Sequence, residues 1–130
     1  MRTALVTGAS RGIGAAVARL LAADGYRVCL HYHRSEERAR QTSEAIRRAG
    51  GEDPLLVRAD MRAPEDLAAM KDTLERSGFR PDIVVHCAGV AWQGMLEDTA
   101  EAVWDEMMDV HLKAAYFLAR LFAPHMIWRR

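Results

Sequence analysis

Three glycines follow an apolar run near the start of the chain, in the stretch LVTGASRGIG at positions 5–14. They are Gly8, Gly12 and Gly14, spaced Gly-x3-Gly-x-Gly. Glycine permits a tight turn and lets a ligand approach the backbone closely. Where a strand turns directly into a helix, the free N–H groups and the dipole of the helix N-terminus attract a phosphate. The pattern therefore indicates a phosphate-binding site. The alternative is a tight strand–helix turn that binds no ligand.

The pattern of apolar residues predicts the elements that position this turn. Strands are expected over 2–7, 27–32, 54–60 and 82–89, and helices over 13–23, 35–49, 64–77 and 99–127. Ser35 is a candidate helix cap, Asp109 a candidate break in the last helix, and Pro124 a candidate bend or end. Strict alternation of strands and helices favours an α/β fold, a parallel sheet with helices on both faces.

Length and composition narrow the function classes. The chain has 130 residues, which suits one domain, and it is 50% hydrophobic and 28% charged with a net charge of zero. Zero net charge gives no general attraction to nucleic acid or to an anionic membrane, so neither is an expected partner. Two cysteines are too few for a disulfide framework, and no apolar stretch is long enough for a bilayer, which favours a cytoplasmic setting.

Four landmarks occur in a fixed order: TGASRGIG at 7–14, RAD ending at Asp60, HCAG at 86–89 and MMDVHLKAAYF at 107–117. Together they resemble classical short-chain dehydrogenases/reductases over the whole chain, and within them the 3-oxoacyl-[acyl-carrier-protein] reductase group. The resemblance implies a Rossmann-type doubly wound parallel sheet, truncated after the fourth strand and the following long helix. Residues 1–130 would be the N-terminal, cofactor-binding part of a single domain.

The resemblance also implies a nicotinamide cofactor. Tyr32 stands where an NAD-selecting acid would end the second strand, and Arg11 and Arg34 could hold the 2′-phosphate of NADP(H). For Arg34 a solvated position at a helix start is the alternative, and Asp60, which would hold the adenine amino group, could be a plain acid before a helix. The cofactor-binding residues predicted on this basis, with Cys87 acting through its backbone, are Gly8, Ser10, Arg11, Gly12, Ile13, Gly14, Arg34, Asp60, Met61, Cys87, Ala88 and Gly89.

The reaction of the resembling family is hydride transfer between the nicotinamide and a carbonyl. There a tyrosine donates the proton, a lysine four residues later lowers its pKa, a serine polarises the carbonyl and an asparagine holds a relay water. None of the three tyrosines of this sequence is followed by a lysine at that spacing. The position of the asparagine holds His111, which could serve in the relay or simply pack under the site.

The sequence leaves two function classes open. One is the N-terminal half of an NADP(H)-dependent carbonyl reductase, and the other is a non-catalytic dinucleotide-binding or scaffold module. A fragment of a longer reductase and a truncated relative are equally consistent with the missing tyrosine, lysine and serine. A small-molecule or carrier-bound carbonyl substrate is implied, for which residues 92–95 supply one wall.

Two further patterns concern metals and assembly. Cys29, His31 and His33 alternate and are possible metal ligands, but a fourth ligand is not evident, so no metal is expected. The last predicted helix is apolar on more than one face. By the resemblance it would pack against its twin in a homodimer or homotetramer of the full-length protein, with Tyr116 and Phe122 near the seam. The alternative is that further residues of the same chain cover that face.

Overall fold

Four parallel strands form the centre of the computed structural model, which describes residues 1–129. They are β1 (Thr3–Thr7), β2 (Arg27–Tyr32), β3 (Leu55–Arg58) and β4 (Ile83–His86). The strand order is β3-β2-β1-β4, and each neighbouring pair is parallel. Parallel strands place their carboxyl ends at one edge of the sheet, which gathers the loops that follow them. The predicted Rossmann-type α/β fold is confirmed.

The helices alternate with these strands as expected. They are α1 (Gly12–Ala23), α2 (Glu36–Arg48), α3 (Pro64–Arg76), α4 (Glu101–Met108) and α5 (Ala114–Trp128), with a short 3₁₀ turn at Leu96–Asp98. A π-helical turn at Asp109–Lys113 joins α4 to α5, so the predicted break near Asp109 is present. No helix within residues 1–129 is long and apolar enough to cross a bilayer.

The sheet buries both of its faces. Side chains alternate across β1, so that Ala4 and Val6 pack with α1 and α2 while Leu5 packs with α3 and α5. Both core clusters consist of residues with little or no exposed surface. Because helices cover both faces, only the ends and edges of the sheet remain for a binding site.

The structure corrects details of the last helix. Phe122 is 5% exposed and belongs to the core, so its predicted place near an intermolecular seam is wrong. Every fourth residue along this segment is buried, which gives a buried stripe formed by Val110, Ala114, Leu118 and Phe122. Of the two alternatives at Pro124, a bend or an end, the end is wrong, because α5 continues through it to Trp128. Proline removes one backbone hydrogen bond, and the packing of the surrounding turns tolerates that loss.

Element boundaries differ slightly from the expected ranges. β3 and β4 are shorter than predicted, since Asp60 and residues 87–89 lie in the loops after them. Ser35 does precede α2, but its side chain makes no capping hydrogen bond within the described chain. Its hydroxyl therefore remains available for another partner.

Candidate functional site

A pocket of about 460 Å³ opens at the carboxyl edge of the sheet. Its wall collects the loops after all four strands and one side of α4 and the π turn. Ten of the twelve predicted cofactor-binding residues lie on this wall, whereas Ile13 and Gly14 do not. The remaining wall residues, which the sequence analysis did not assign to the cofactor, are His31, Tyr32, His33, Ser35, Arg62, Val90, Glu106 and Val110.

The glycine turn leaves its backbone open to the pocket. Gly12 has a φ of +59°, and a Cβ added there would meet no described atom within 4 Å. Gly8 has a φ of +64° and packs closely on β4's loop, where an added Cβ would lie 2.7 Å from the Cα of Ala88. The turn therefore combines a tightly packed base with an open rim, which is the shape that an approaching phosphate needs.

The N-terminus of α1 supplies hydrogen-bond donors at this rim. Arg11 is the residue before the helix, and its side chain forms no cap with any residue from 1 to 129. The first N–H groups of a helix have no carbonyl partners inside the helix. Together with the helix dipole they suit an anion, and the donor set of this turn thus fits a pyrophosphate.

Two arginines lie on the same wall without acidic partners. Arg11 and Arg34 are exposed, and neither forms an ion pair with a carboxylate among the described residues. Tyr32, not an acid, ends β2, and Ser35 stands beside Arg34 with its hydroxyl uncapped. This combination of two guanidiniums and one hydroxyl is suited to a dianionic phosphate. Sequence analysis assigned Ser35 only to a helix cap, and it did not identify the hydroxyl as part of the pocket.

Asp60 is held in the pocket by Arg62. The Arg62 Nη2 lies 2.9 Å from Asp60 Oδ2, and the Arg62 backbone N–H donates to Oδ1 at 2.9 Å. The hydrogen bonds from the Arg62 side chain are the main cause that lowers the pKa of Asp60 to about 2. His33 also approaches the same carboxylate, at 3.8 Å. The carboxylate is therefore ionised and fixed, and the D-x-R spacing was the sequence signal for this pair.

Thr7 and His86 form a second network that sequence reasoning missed. The Thr7 Oγ1 accepts the N–H groups of Cys87 at 3.0 Å and of Ala88 at 3.1 Å, and lies 2.8 Å from His86 Nδ1. The Nε2 of His86 lies 3.0 Å from the carbonyl oxygen of Val110 in the π turn. Because that carbonyl can only accept, Nε2 carries the proton and Nδ1 accepts from the Thr7 hydroxyl. Burial lowers the pKa of His86, which agrees with this neutral form.

His111 does not lie on the pocket wall, but it contacts the loop after β4. Its Nε2 is 2.7 Å from the carbonyl oxygen of Val90 and 3.2 Å from the Val90 nitrogen. The shorter contact favours a protonated Nε2 that donates to the carbonyl. A Cβ added to Gly89 would lie 2.6 Å from the His111 ring, so this glycine makes room for the imidazole. The π turn and the HCAG loop are thus tied together by both histidines.

Cys29, His31 and His33, the possible metal ligands considered from the sequence, are not grouped around a common point. No group of three or more His, Cys, Asp or Glu residues within residues 1–129 is arranged to hold a metal ion. Cys29 is fully buried, and this burial raises the pKa of its thiol. His31 uses both ring nitrogens for backbone atoms, as described below, and His33 lies beyond the end of β2.

The loop from 87 to 100 lines the pocket through residues 87–90, whereas residues 92–95, predicted as one wall for the substrate, are not on the pocket wall. Trp92 is partly folded back on this loop, where its Nε1 donates to the Thr99 Oγ1 at 3.1 Å. Gly94 lies under the Trp92 ring, since an added Cβ would be 2.9 Å from it. The loop therefore has a defined shape and can provide one wall beside the pocket.

Comparison with known proteins gives consistent matches. A family model described as short chain dehydrogenase matches residues 2–130. The 3-oxoacyl-[acyl-carrier-protein] reductase FabG of Staphylococcus aureus is 35% identical over 130 residues, covering 99% of this chain and 52% of that protein. Versicolorin reductase 1 of Aspergillus parasiticus is 38% identical over 126 residues, covering 96% of this chain and 47% of that protein.

A solved structure extends the comparison to the fold. A metagenomic short-chain oxidoreductase in complex with NADP has 43% identity and a TM-score of 0.90, covering 98% of this chain and 57% of that one. The chain thus spans about half the length of the curated relatives it matches.

Proposed function

Because the chain belongs to the short-chain dehydrogenase family through residues 2–130, we propose that it is the cofactor-binding half of an NADP(H)-dependent carbonyl reductase. The observation that carries this proposal is the pocket wall, on which Arg11 and Arg34 stand without acidic partners among residues 1–129 while a tyrosine ends β2. The NADP complex of a similar structure supports the same cofactor.

We assign the phosphates, the adenine and the ribose of the cofactor to separate parts of the pocket. The glycine turn, Ser10 and the N-terminus of α1 would bind the pyrophosphate, with Ile13 and Gly14 shaping the turn. Arg11 and Arg34 would bind the 2′-phosphate. The remaining predicted contacts concern adenine and ribose, and they are Asp60, Met61, the Cys87 backbone, Ala88 and Gly89.

Asp60 can still serve the adenine while bound to Arg62. A carboxylate offers about four acceptor positions. Arg62 donates to Oδ1 through its backbone N–H and Nε, and to Oδ2 through Nη2 at 2.9 Å and Nε at 3.3 Å. An exocyclic amino group would compete chiefly with the longer Nε contact at Oδ2. Fixing the carboxylate before binding reduces the entropy lost when the ligand arrives.

When bound, the reduced nicotinamide would supply the hydride that converts a ketone substrate into an alcohol. A 3-oxoacyl group on a carrier protein is the proposed substrate class, because FabG is among the relatives, and residues 92–95 would form one wall for it. His111 would hold or pass a proton near this wall. The tyrosine, lysine and serine of the family are not among these 130 residues and would come from elsewhere in the complete enzyme.

The alternative function is a non-catalytic dinucleotide-binding or scaffold module, which would also lack Tyr-x-x-x-Lys. Such a module would bind the cofactor equally well but would turn over no carbonyl substrate. For either function we propose a cytoplasmic setting and a homodimer or homotetramer.

A cofactor-binding experiment tests the proposal. NADPH and NADH are titrated against the native protein, against Arg34→Asp and against Arg38→Asp, a matched control on α2 outside the pocket wall. One charge-assisted phosphate contact contributes about 1.5–3 kcal/mol, so Arg34→Asp should weaken NADPH binding about tenfold or more. The control should leave both affinities unchanged. Equal affinities of the native protein for NADPH and NADH would overturn the proposed specificity.

A further inference from the structure

The imidazole of His31 joins the ends of two strands beneath the pocket. The backbone N–H of Gly8, after β1, donates to His31 Nδ1 at 3.0 Å. On the other side, His31 Nε2 lies 2.8 Å from the carbonyl oxygen of Ala59, after β3. The residue is 1% exposed, so water does not compete for either ring nitrogen.

The two partners fix the chemical state of the ring. The Ala59 carbonyl can only accept, so Nε2 must carry a proton. The Gly8 amide can only donate, so Nδ1 must be unprotonated. The geometry thus selects the neutral ring in a single tautomer. A second proton on Nδ1 would place two N–H donors against each other.

Both partners of the ring belong to the candidate cofactor site. Gly8 opens the glycine turn, and the backbone carbonyl of His31 also accepts the Ala9 N–H at 2.9 Å. Ala59 immediately precedes Asp60, and its N–H donates to the Tyr32 carbonyl at 3.2 Å. His31 therefore sets the separation between the turn proposed for the pyrophosphate and the carboxylate proposed for adenine.

Building on the proposed function, we propose that neutral His31 is a positioning residue for the adenosine half of the cofactor. His31 contacts the glycine turn and the end of β3. It lies on the side of β1 away from the HCAG loop, because β2 and β4 lie on opposite sides of β1. Substitution removes both hydrogen bonds, and protonation of Nδ1 removes the one from Gly8. Either change shifts the turn relative to Asp60 and weakens binding of adenosine 2′-phosphates.

The surroundings of the ring reinforce its neutral state. Burial is the largest cause that lowers the pKa of His31 to about 4. Positive charge on His33, from the end of β2, or on His86, from β4, acts in the same direction. From the β3 end, the Asp60 carboxylate is engaged by Arg62 and approached by His33. The hydrogen bond to the Ala59 carbonyl acts in the opposite direction and raises the pKa, but burial outweighs it. The pocket wall also carries the cations Arg11 and Arg34.

Three variants separate positioning from general stability. His31→Phe keeps a similar ring size but has no polar atom for Gly8 or Ala59. His31→Gln restores an acceptor and a donor on a flexible side chain. His125→Phe is the matched control on α5, because the Nε2 of His125 is buried without a hydrogen-bond partner in the described chain.

Binding of NADPH and of adenosine 2′,5′-bisphosphate to the native protein and to each variant is measured by calorimetry. His31→Phe should weaken the bisphosphate about tenfold, as the loss of a buried hydrogen bond implies, with partial recovery in His31→Gln and no change in His125→Phe. Nitrogen-15 spectra of the native protein should show His31 as the neutral Nε2–H tautomer between about pH 6 and 8.

The outcomes distinguish this inference from the proposed function. If the native protein binds neither NADPH nor the bisphosphate, the proposed function fails. If it binds both but His31→Phe binds them equally well, the positioning role fails. Should His31→Phe not fold, the spectra still decide, because a cationic ring or the Nδ1–H tautomer in the native protein would overturn the inference.

Discussion

The carbonyl group of Gly8 packs directly against the Cα of Gly14. A Cβ added to Gly14 would overlap the Gly8 carbonyl oxygen and would lie 2.7 Å from the carbonyl carbon. The first turn of α1 therefore lies on top of the end of β1. This contact requires that position 14 carry no side chain, and it explains why the third glycine is needed although it lies off the pocket wall.

Gly14→Ala should destabilise the protein far more than an alanine at a glycine that only needs an unusual backbone angle. Gly25 is the matched control, since its φ is +87° but an added Cβ would meet no described atom within 4 Å. Gly25→Ala should cost about 1–2 kcal/mol of the free energy of unfolding. Gly14→Ala should cost about 4 kcal/mol or more, because backbone must move. Chemical denaturation of both variants checks this, and equal losses would contradict the packing role.

Much of the fold could be predicted because it depends on local patterns. Alternating apolar segments and glycine-ended helices identified all four strands, and Pro64 marked the start of α3. The phase of the last helix could not be predicted, because the π turn at Asp109–Lys113 interrupts the helical repeat. Phe122 was placed near an intermolecular seam, although it packs in the core four residues after the buried Leu118.

The parts of the site that directly follow a strand in the sequence could be predicted. The glycine turn, Asp60 and the HCAG loop all lie at strand ends, which a parallel sheet brings together. The ties made by His31 and His86 could not be predicted, since each joins residues more than twenty positions apart. In the sequence, His31 stood out only because it alternates with Cys29 and His33 as a possible metal ligand.

Acid should destabilise the protein between about pH 6.5 and pH 4. The pKa of His31 is lowered to about 4 in the folded state, against an ordinary value of 6.5. In this window the unfolded chain binds a proton at residue 31 and the folded chain does not, so the free energy of unfolding falls as the pH falls. His31 alone would contribute roughly 3 kcal/mol, and His86, whose pKa is also lowered, acts in the same direction.

Urea denaturation at about pH 7 and pH 4.5 measures this effect. His31→Gln should show a shallower dependence, because glutamine does not titrate. Asp60 cannot cause a loss of stability between about pH 6.5 and pH 4. Because its pKa is lowered to about 2, its contribution to the free energy of unfolding is lost only below about pH 4. A native unfolding free energy that is constant over this range would contradict the neutral buried ring.

The 130 residues by themselves should not reduce a carbonyl. They carry no Tyr-x-x-x-Lys, and a positioned proton donor alone contributes about 10²–10⁴-fold to such reactions. The assay follows NADPH oxidation with a 3-oxoacyl substrate, after NADPH binding to the same preparation has been measured. A 3-oxoacyl-[acyl-carrier-protein] reductase serves as the positive control. Oxidation that rises in proportion to the amount of this chain would contradict the prediction.

Assembly should depend on a line of exposed apolar residues on α4, the π turn and α5. Trp104, Leu112 and Tyr116 are each 62% exposed, and Met108 is 38% exposed, at intervals of four residues. They lie opposite the buried stripe that begins at Val110, so the sheet cannot cover them. In water such a surface favours association, and we expect the native protein to form a homodimer or homotetramer through it.

A Leu112→Glu, Tyr116→Glu double variant should yield smaller species, because a two-fold seam brings each carboxylate close to the same groups of the other copy. Leu20→Glu is the matched control, since Leu20 is 68% exposed on α1, away from this surface. Phe122 is unsuitable for this test because a charge there would disrupt the core. Light scattering at micromolar concentration should find an oligomer for the native protein and for Leu20→Glu. A native monomer would rule out the assembly, and an undisturbed oligomer in the double variant would place its seam elsewhere.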